Sequence, residues 1–329
     1  MEPAAASPTL ADLDVGARLG RGASANVCLA THGTARYAIK IVDKENIVGQ
    51  AQLTRLFREK ELLSTLRHPG IVALHATFKD DSRLYFLLEL CTGGELLWHM
   101  RRERACRVAP AAARLTLGAL LLPLRFMEES GVLYRDLKPT NVLFTSVGRL
   151  KLVDFGHAKR VATMSERSTS VCGTPHYHAP ETVRGEGHAL PAQLWALGVL
   201  LVEMLAGRAP FWDAAGLPPL PEQILAAEPE LGPLPDDGAQ ALAQSLLQPD
   251  AEVRAATFAG AARGDEPHAG HYAGMMAHPW LASLDWSAIE RGEAVPAFDF
   301  AQHAATLVEP EAAASSAELD ALSAAFDDF

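Results

Sequence analysis

At 329 residues and 35.2 kDa the chain exceeds any disulfide- or metal-stapled miniature, and at about 150 residues per domain it corresponds to two domains or one domain with two lobes. Apolar residues at 49% supply a substantial core, while 29 basic against 40 acidic side chains, a net of −11, disfavour a surface built to coat nucleic acid or anionic lipid. The excess is concentrated from Arg291 onward, where one basic and eight acidic residues give −7. Cysteines 28, 91, 106 and 172 contain no C-x-x-C pair, so neither a disulfide framework nor a zinc site is expected, and a reducing compartment, cytoplasm or nucleus, fits better. The first twenty residues carry no basic and apolar targeting pattern, and the longest apolar stretch, Leu115 to Met127, falls short of a bilayer span of about 20 residues. No membrane partner is expected.

Residues 1–12, rich in Ala, Pro and Ser, read as a mobile leader. From 13 to 90 the pattern is strand-rich, with one inserted helix whose apolar stripe is Leu53, Leu56, Phe57, Leu63 and Leu66, which stops at His68-Pro69-Gly70. Glu59 stands beside that stripe. From 91 to 290 the sequence is helical and rich in Leu and Ala, with Pro-rich loops at 215–221 and 229–235 and a Gly/His-rich loop at 259–274. Residues 291–329 form the acidic tail. This is an α+β expectation: a small antiparallel sheet lobe, a larger helical lobe, and a tail.

The sharpest motif is Tyr134-Arg135-Asp136-Leu137-Lys138-Pro139-Thr140-Asn141, followed thirteen positions after the Asn by Asp154-Phe155-Gly156. Phosphoryl transfer needs a carboxylate at the attacking hydroxyl and oxygen ligands from separate positions for magnesium; Asp136 fits the first need, Asn141 and Asp154 the second. Alone, the segment is also good turn chemistry. Its company decides. Gly20-Arg21-Gly22-Ala23-Ser24-Ala25-Asn26-Val27 lets backbone N–H groups approach phosphate, and because a strand rather than a helix follows, a dinucleotide site is excluded. Lys40 ends an apolar strand thirteen residues after Val27, and Glu59 comes nineteen later on the helix, an order that predicts a Lys–Glu ion pair aimed at phosphates.

These motifs resemble those of eukaryotic-type Ser/Thr protein kinases over residues from about 14 to 290. The likeness is to the AGC group, nearest to catalytic subunits of cAMP-dependent protein kinase. It rests on Tyr134 before Arg135-Asp136, on Phe155-Gly156-His157-Ala158-Lys159-Arg160, on Cys172-Gly173-Thr174-Pro175 through Ala179-Pro180-Glu181, and on Phe326-Asp327-Asp328-Phe329. The resemblance implies the two-lobed kinase fold, with ATP and Mg²⁺ as cofactors. By the same likeness the Gly20–Val27 loop covers ATP, with Gly20, Arg21, Gly22, Ala23 and Val27 at the nucleotide. Lys40 contacts phosphates and is held by Glu59, the backbone at Glu89 meets adenine, and Glu95 meets the ribose. Asp136 accepts the substrate proton, Lys138 offsets charge on the transferred group, and Asn141 and Asp154 hold the metal. Phe326 and Phe329 would dock on the small lobe.

Regulation and specificity are also implied. Ser170 matches the family's phosphorylated loop residue, with Arg135, Lys159 and Arg55 as its cationic partners, so an upstream kinase or autophosphorylation is expected. Glu95 and Glu203 match carboxylates that read arginines upstream of the target residue, and Pro175 lies in the segment for the residue after it. Protein substrates with a basic motif are therefore the expected partners. A cAMP-binding regulatory subunit is a further one, although Thr169 replaces the Trp that docks it. Ala25 replaces the third loop glycine, Thr140 a third acidic reader, and Gln193 an Asp that buttresses the catalytic loop. Two rivals remain: a pseudokinase scaffold, favoured by Ala25 and Gln193, and a small-molecule kinase, disfavoured by the peptide-docking segment. His268, His271 and His278 lack a second fixed pair and are not expected to bind zinc.

Overall fold

The computed structural model describes residues 8–21, 25–168, 173–211, 221–226, 229, 231–232, 234–260 and 270–301. Gly22, Ala23, Ser24, Thr169, Ser170, Phe326 and Phe329 lie outside the described residues, as do the side chain of Arg21 and most of the leader and the tail.

Five strands form the first lobe: β1 (Asp14–Arg21), β2 (Asn26–His32), β3 (Ala35–Asp43), β4 (Leu74–Lys79) and β5 (Arg83–Glu89). They are antiparallel in the order β1-β2-β3-β5-β4, so β3 lies at the centre. Central placement determines what Lys40 can do: its backbone is flanked by Val27 on β2 and Phe86 on β5, and its ammonium lies 5.5 Å from the Phe86 ring centroid. Helix α1 (Gly49–Thr65) lays Leu53, Leu56, Leu62 and Leu63 against the sheet, and the same face buries Glu59. The expected stop at His68-Pro69-Gly70 comes three residues early. Leu66 is already extended at φ −80°, ψ 108°, because the Arg67 guanidinium donates to the Leu74 carbonyl at 3.1 Å and draws the chain toward β4.

The second lobe follows β6 (Gly94–Glu95) with α2 (Leu96–Arg102), α3 (Pro110–Glu129), β7 (Val132–Leu133), β8 (Val142–Phe144), β9 (Leu150–Leu152) and β10 (Lys159–Arg160). After these come α4 (Pro180–Val183), α5 (Leu190–Ala206), α6 (Pro221–Ala226), α7 (Asp237–Leu246), α8 (Ala251–Phe258), α9 (His271–Met276) and α10 (Trp286–Arg291). Apart from Gln193 and Glu203, helix α5 is apolar all round, and it is almost wholly buried, as a central helix must be. Pro123 stays inside α3 with its ring packed on Gly70, where an added Cβ would come within 3.0 Å. Two expectations need correction. The helical reading of 91–290 missed five two- and three-residue strands, too short for any sequence period to register: β8 pairs with β6 and β9, and β7 with β10. The Gly/His-rich loop ends earlier than expected, because α9 begins at His271, where the Glu128 carboxylate of α3 accepts the backbone N–H groups of His271 and Tyr272 at 2.9 and 3.3 Å.

Beyond α10 the chain packs on the second lobe. Phe298 stacks on the buried His99 ring at 4.7 Å, and Phe300 meets His99 and Phe144 edge-on or tilted at 5.3 Å. Among the described residues no helix is long and apolar enough to cross a membrane.

Candidate active site

A cavity of about 270 Å³ opens between the lobes, lined by Gly20, Ala25 and Val27 from the sheet side, Leu88 to Cys91 from the connection, and Leu143 and Asp154 from below. A hollow of similar size, about 290 Å³, between His68, Arg149 and Glu290 contains none of the motif residues.

Within the first cavity Lys40 Nζ donates to both Glu59 oxygens, at 2.7 and 2.8 Å, and stands 3.9 Å from Asp154 Oδ1. Burial by itself would lower the ammonium pKa, but the Glu59 and Asp154 carboxylates outweigh it and hold Lys40 above its ordinary value. Burial pushes the Glu59 carboxyl up against the pull of Lys40. With both oxygens bonded to one ammonium, the ionised pair is the state this geometry favours. Asp154 is raised by burial, but Lys40 and the Gly156 N–H together bring it below the usual carboxylate range, so it is an anion at neutral pH. Its backbone is left-handed at φ 55°, a conformation stabilised by its own side chain accepting from Gly156 N. Phe155 is fully buried, with its ring edge-on to Tyr134 at 5.3 Å.

The catalytic-loop residues converge without any regular element. Asp136 is 3% exposed; its Oδ2 accepts from Lys138 Nζ at 2.8 Å and Asn141 Nδ2 at 2.9 Å, and its Oδ1 from the Thr174 hydroxyl at 3.2 Å. Asn141 Nδ2 also donates to the Asp136 carbonyl at 2.8 Å, so its protons are engaged and its Oδ1 is the end left to act as a ligand. With the Asp154 carboxylate this gives hard oxygen donors from two segments, a set that fits magnesium. Arg135, at φ 67°, donates from Nε to the His157 carbonyl at 2.7 Å and from NH1 to Ser168 Oγ at 2.8 Å. Above it passes Gly173 at φ 91°, where a Cβ would come within 2.8 Å of the Arg135 carbonyl, so only glycine allows this crossing.

The Glu89 carboxylate pairs with Lys151 at 2.7 Å and accepts from Ala73 N at 3.2 Å, which ties the connecting segment to the second lobe. Glu95 keeps an exposed face at the cavity edge, while desolvation by the protein around it raises its carboxyl against the pull of Arg101. Glu203 accepts the Tyr177 hydroxyl, and burial raises its carboxyl. Pro175 is exposed on a short turn. Lys159 pairs with Glu166 at 3.4 Å, while Arg55 is exposed. Glu181 binds the fully buried Arg254, whose guanidinium lies 5.3 Å from the Trp195 centroid.

Gln193 on α5 accepts the N–H groups of Tyr134 at 2.7 Å and Arg135 at 3.1 Å. Sequence reasoning identified Gln193 as a departure but missed Tyr272, whose hydroxyl receives Gln193 Nε2 at 2.6 Å. It also missed Thr174 as a ligand of Asp136. The separations of 79 and 38 residues leave no local signal for either contact.

This arrangement is that of the protein kinase domain, whose family model matches residues 13–280, and the chain belongs to that family. It is 34% identical over 88% of its length to an atypical protein kinase C of Drosophila melanogaster, covering 48% of that protein. It is 32% identical over 84% of its length to a cAMP-dependent protein kinase catalytic subunit of Arthrobotrys oligospora, covering 51% of it, and 41% identical over 54% of its length to the corresponding subunit of Dictyostelium discoideum, covering 26%. The chain thus spans about half the length, or less, of these curated relatives, and they agree with the AGC-group resemblance.

Proposed function

We propose that the chain is a Ser/Thr protein kinase that moves the γ-phosphoryl group of ATP to a Ser or Thr hydroxyl of proteins with arginine upstream of the target. The observation that carries this reading is the ammonium of Lys40 held by both oxygens of Glu59 beside the anionic Asp154, in one cavity. Asp136, oriented at both oxygens, aligns the attacking hydroxyl and accepts its proton, and Lys138 offsets charge growing on the transferred group. Asn141 Oδ1 and Asp154 hold Mg²⁺, which when bound neutralises phosphate charge.

Substrate choice rests on Glu95 and Glu203 as readers of arginine three and two before the target, and the bond from Tyr177 to Glu203 leaves one carboxylate oxygen for the weaker of these. Control by phosphate at Ser170, from an upstream kinase or the chain itself, is supported by Arg135 already bonding Ser168 two residues away. A cAMP-binding partner belongs to the same proposal through the relatives' names. So does a reducing compartment, on the sparse and scattered spacing of the four cysteines. The scaffold reading leans on Gln193, yet that amide accepts both loop N–H groups, which supports transfer instead.

The test is Mg²⁺-dependent transfer from ATP to an Arg-x-x-Ser peptide by the native chain and by Asp154→Ala. Transfer by the first alone is expected. Nucleotide binding without transfer by either, with Ser170 phosphorylated, would overturn the proposal in favour of the scaffold.

A further inference from the structure

A carboxylate at position 193 would present two equivalent acceptors to the catalytic loop; an amide does not, because one end accepts and the other donates. Turned the wrong way, Gln193 would push its NH₂ against the N–H groups of Tyr134 and Arg135. The side chain is 1% exposed and Tyr272 is fully buried, so bulk water does not compete for either end. The two loop N–H groups therefore require Oε1 to face them, and the NH₂ left behind needs a buried acceptor of its own, which is the Tyr272 hydroxyl at 2.6 Å.

Tyr272 is itself held in place. Glu128 of α3 is 2.8 Å from His271 Nδ1 and accepts the first N–H groups of α9. Burial pushes the phenol pKa up, so the hydroxyl stays neutral, and its oxygen accepts from Gln193 Nε2. A continuous set of bonds runs from Glu128 through α9 and Tyr272 to Gln193, and ends on the backbone of left-handed Arg135, next to Asp136.

We infer that Tyr272 is a positioning residue: it accepts from the buried NH₂ of Gln193, steadies the amide, and so lets a neutral side chain do what an Asp does elsewhere, holding the catalytic loop by two N–H bonds. This deepens the phosphoryl-transfer reading and rests on it. No motif of the chain includes Tyr272, and a tyrosine buried only for packing would make no distinction between amide and carboxylate at position 193.

That distinction is the test. Tyr272→Phe removes one oxygen, and kcat for peptide phosphorylation should fall about tenfold with KM for ATP unchanged, since the lining of the nucleotide cavity does not include Tyr272. Introduced into Gln193→Asp, which has no NH₂ to leave buried and unpaired, the same change should cost less than about twofold. An equal loss in both backgrounds, or none in either, would overturn the inference. If Gln193→Asp does not fold, Gln193→Ala serves as the reference, because with both bonding ends gone Tyr272→Phe should remove nothing further; a renewed tenfold loss there would be equally fatal. If the native chain transfers no phosphate, the functional reading falls by itself, and amide hydrogen exchange decides about Tyr272. Faster exchange at Tyr134 and Arg135 in Tyr272→Phe is then expected, and unchanged protection would overturn it.

Discussion

His188 should make this protein acid-sensitive, by an amount that follows from its surroundings. The ring is 6% exposed, and neither nitrogen finds a hydrogen-bond partner among the described residues. Its backbone forms an antiparallel bridge with Ser168, by bonds of 2.8 and 2.9 Å, at the end of the segment that Arg135 holds. Burial, then the charge of Arg135, then His178 push its pKa from 6.5 down to about 3. A histidine buried neutral stabilises the fold above its unfolded pKa and loses that contribution as pH falls toward the folded value, because the unfolded chain binds the proton first. Between pH 7.5 and pH 5 this single group accounts for about 2 kcal/mol, at 1.36 kcal/mol per pH unit below 6.5. Urea unfolding of the native chain and of His188→Phe at both pH values isolates it from the other histidines. The stability gap between the two proteins should shift in favour of the variant by about 2 kcal/mol at pH 5. A gap that does not move with pH would refute the reasoning.

Three further outcomes follow. Glu181→Gln leaves Arg254, at 0% exposure, without its charged partner, and should lower unfolding stability by about 3–5 kcal/mol in denaturant titration. Glu59→Gln halves the acceptor capacity at Lys40 and removes the charge; a charge-assisted bond is worth about 1.5–3 kcal/mol, so kcat/KM should fall by about 10- to 100-fold in steady-state assays. Thr174→Ala frees one oxygen of Asp136 and should lower kcat about fivefold with little change in KM for ATP; a changed KM with an intact kcat would show that this hydroxyl serves binding instead.

The chemistry-bearing residues were legible in the sequence because they come in short runs of fixed spacing. Asp136, Lys138 and Asn141 lie within six positions, where turn geometry alone constrains them, and Asp154 opens a three-residue motif. The strands and α1 were legible from apolar periods, and with them the expectation that Lys40 and Glu59 meet. Composition and order together sufficed for the two lobes. Nothing local marked the two-residue strands, the landing of Phe298 and Phe300 on His99, or the departure of the chain from α1 at Leu66, since each is decided by a neighbour distant in sequence.

The same holds at the catalytic loop. The sequence determined that position 193 is Gln, and by resemblance that this is a departure, but not whether the amide could serve. Only the packing of α3, α5 and α9 brings Tyr272 behind it, across 79 residues, and turns its oxygen toward the loop. A side chain's type is written in the chain, whereas the direction in which a buried amide points is set by the hydrogen-bonding groups that the fold packs around it.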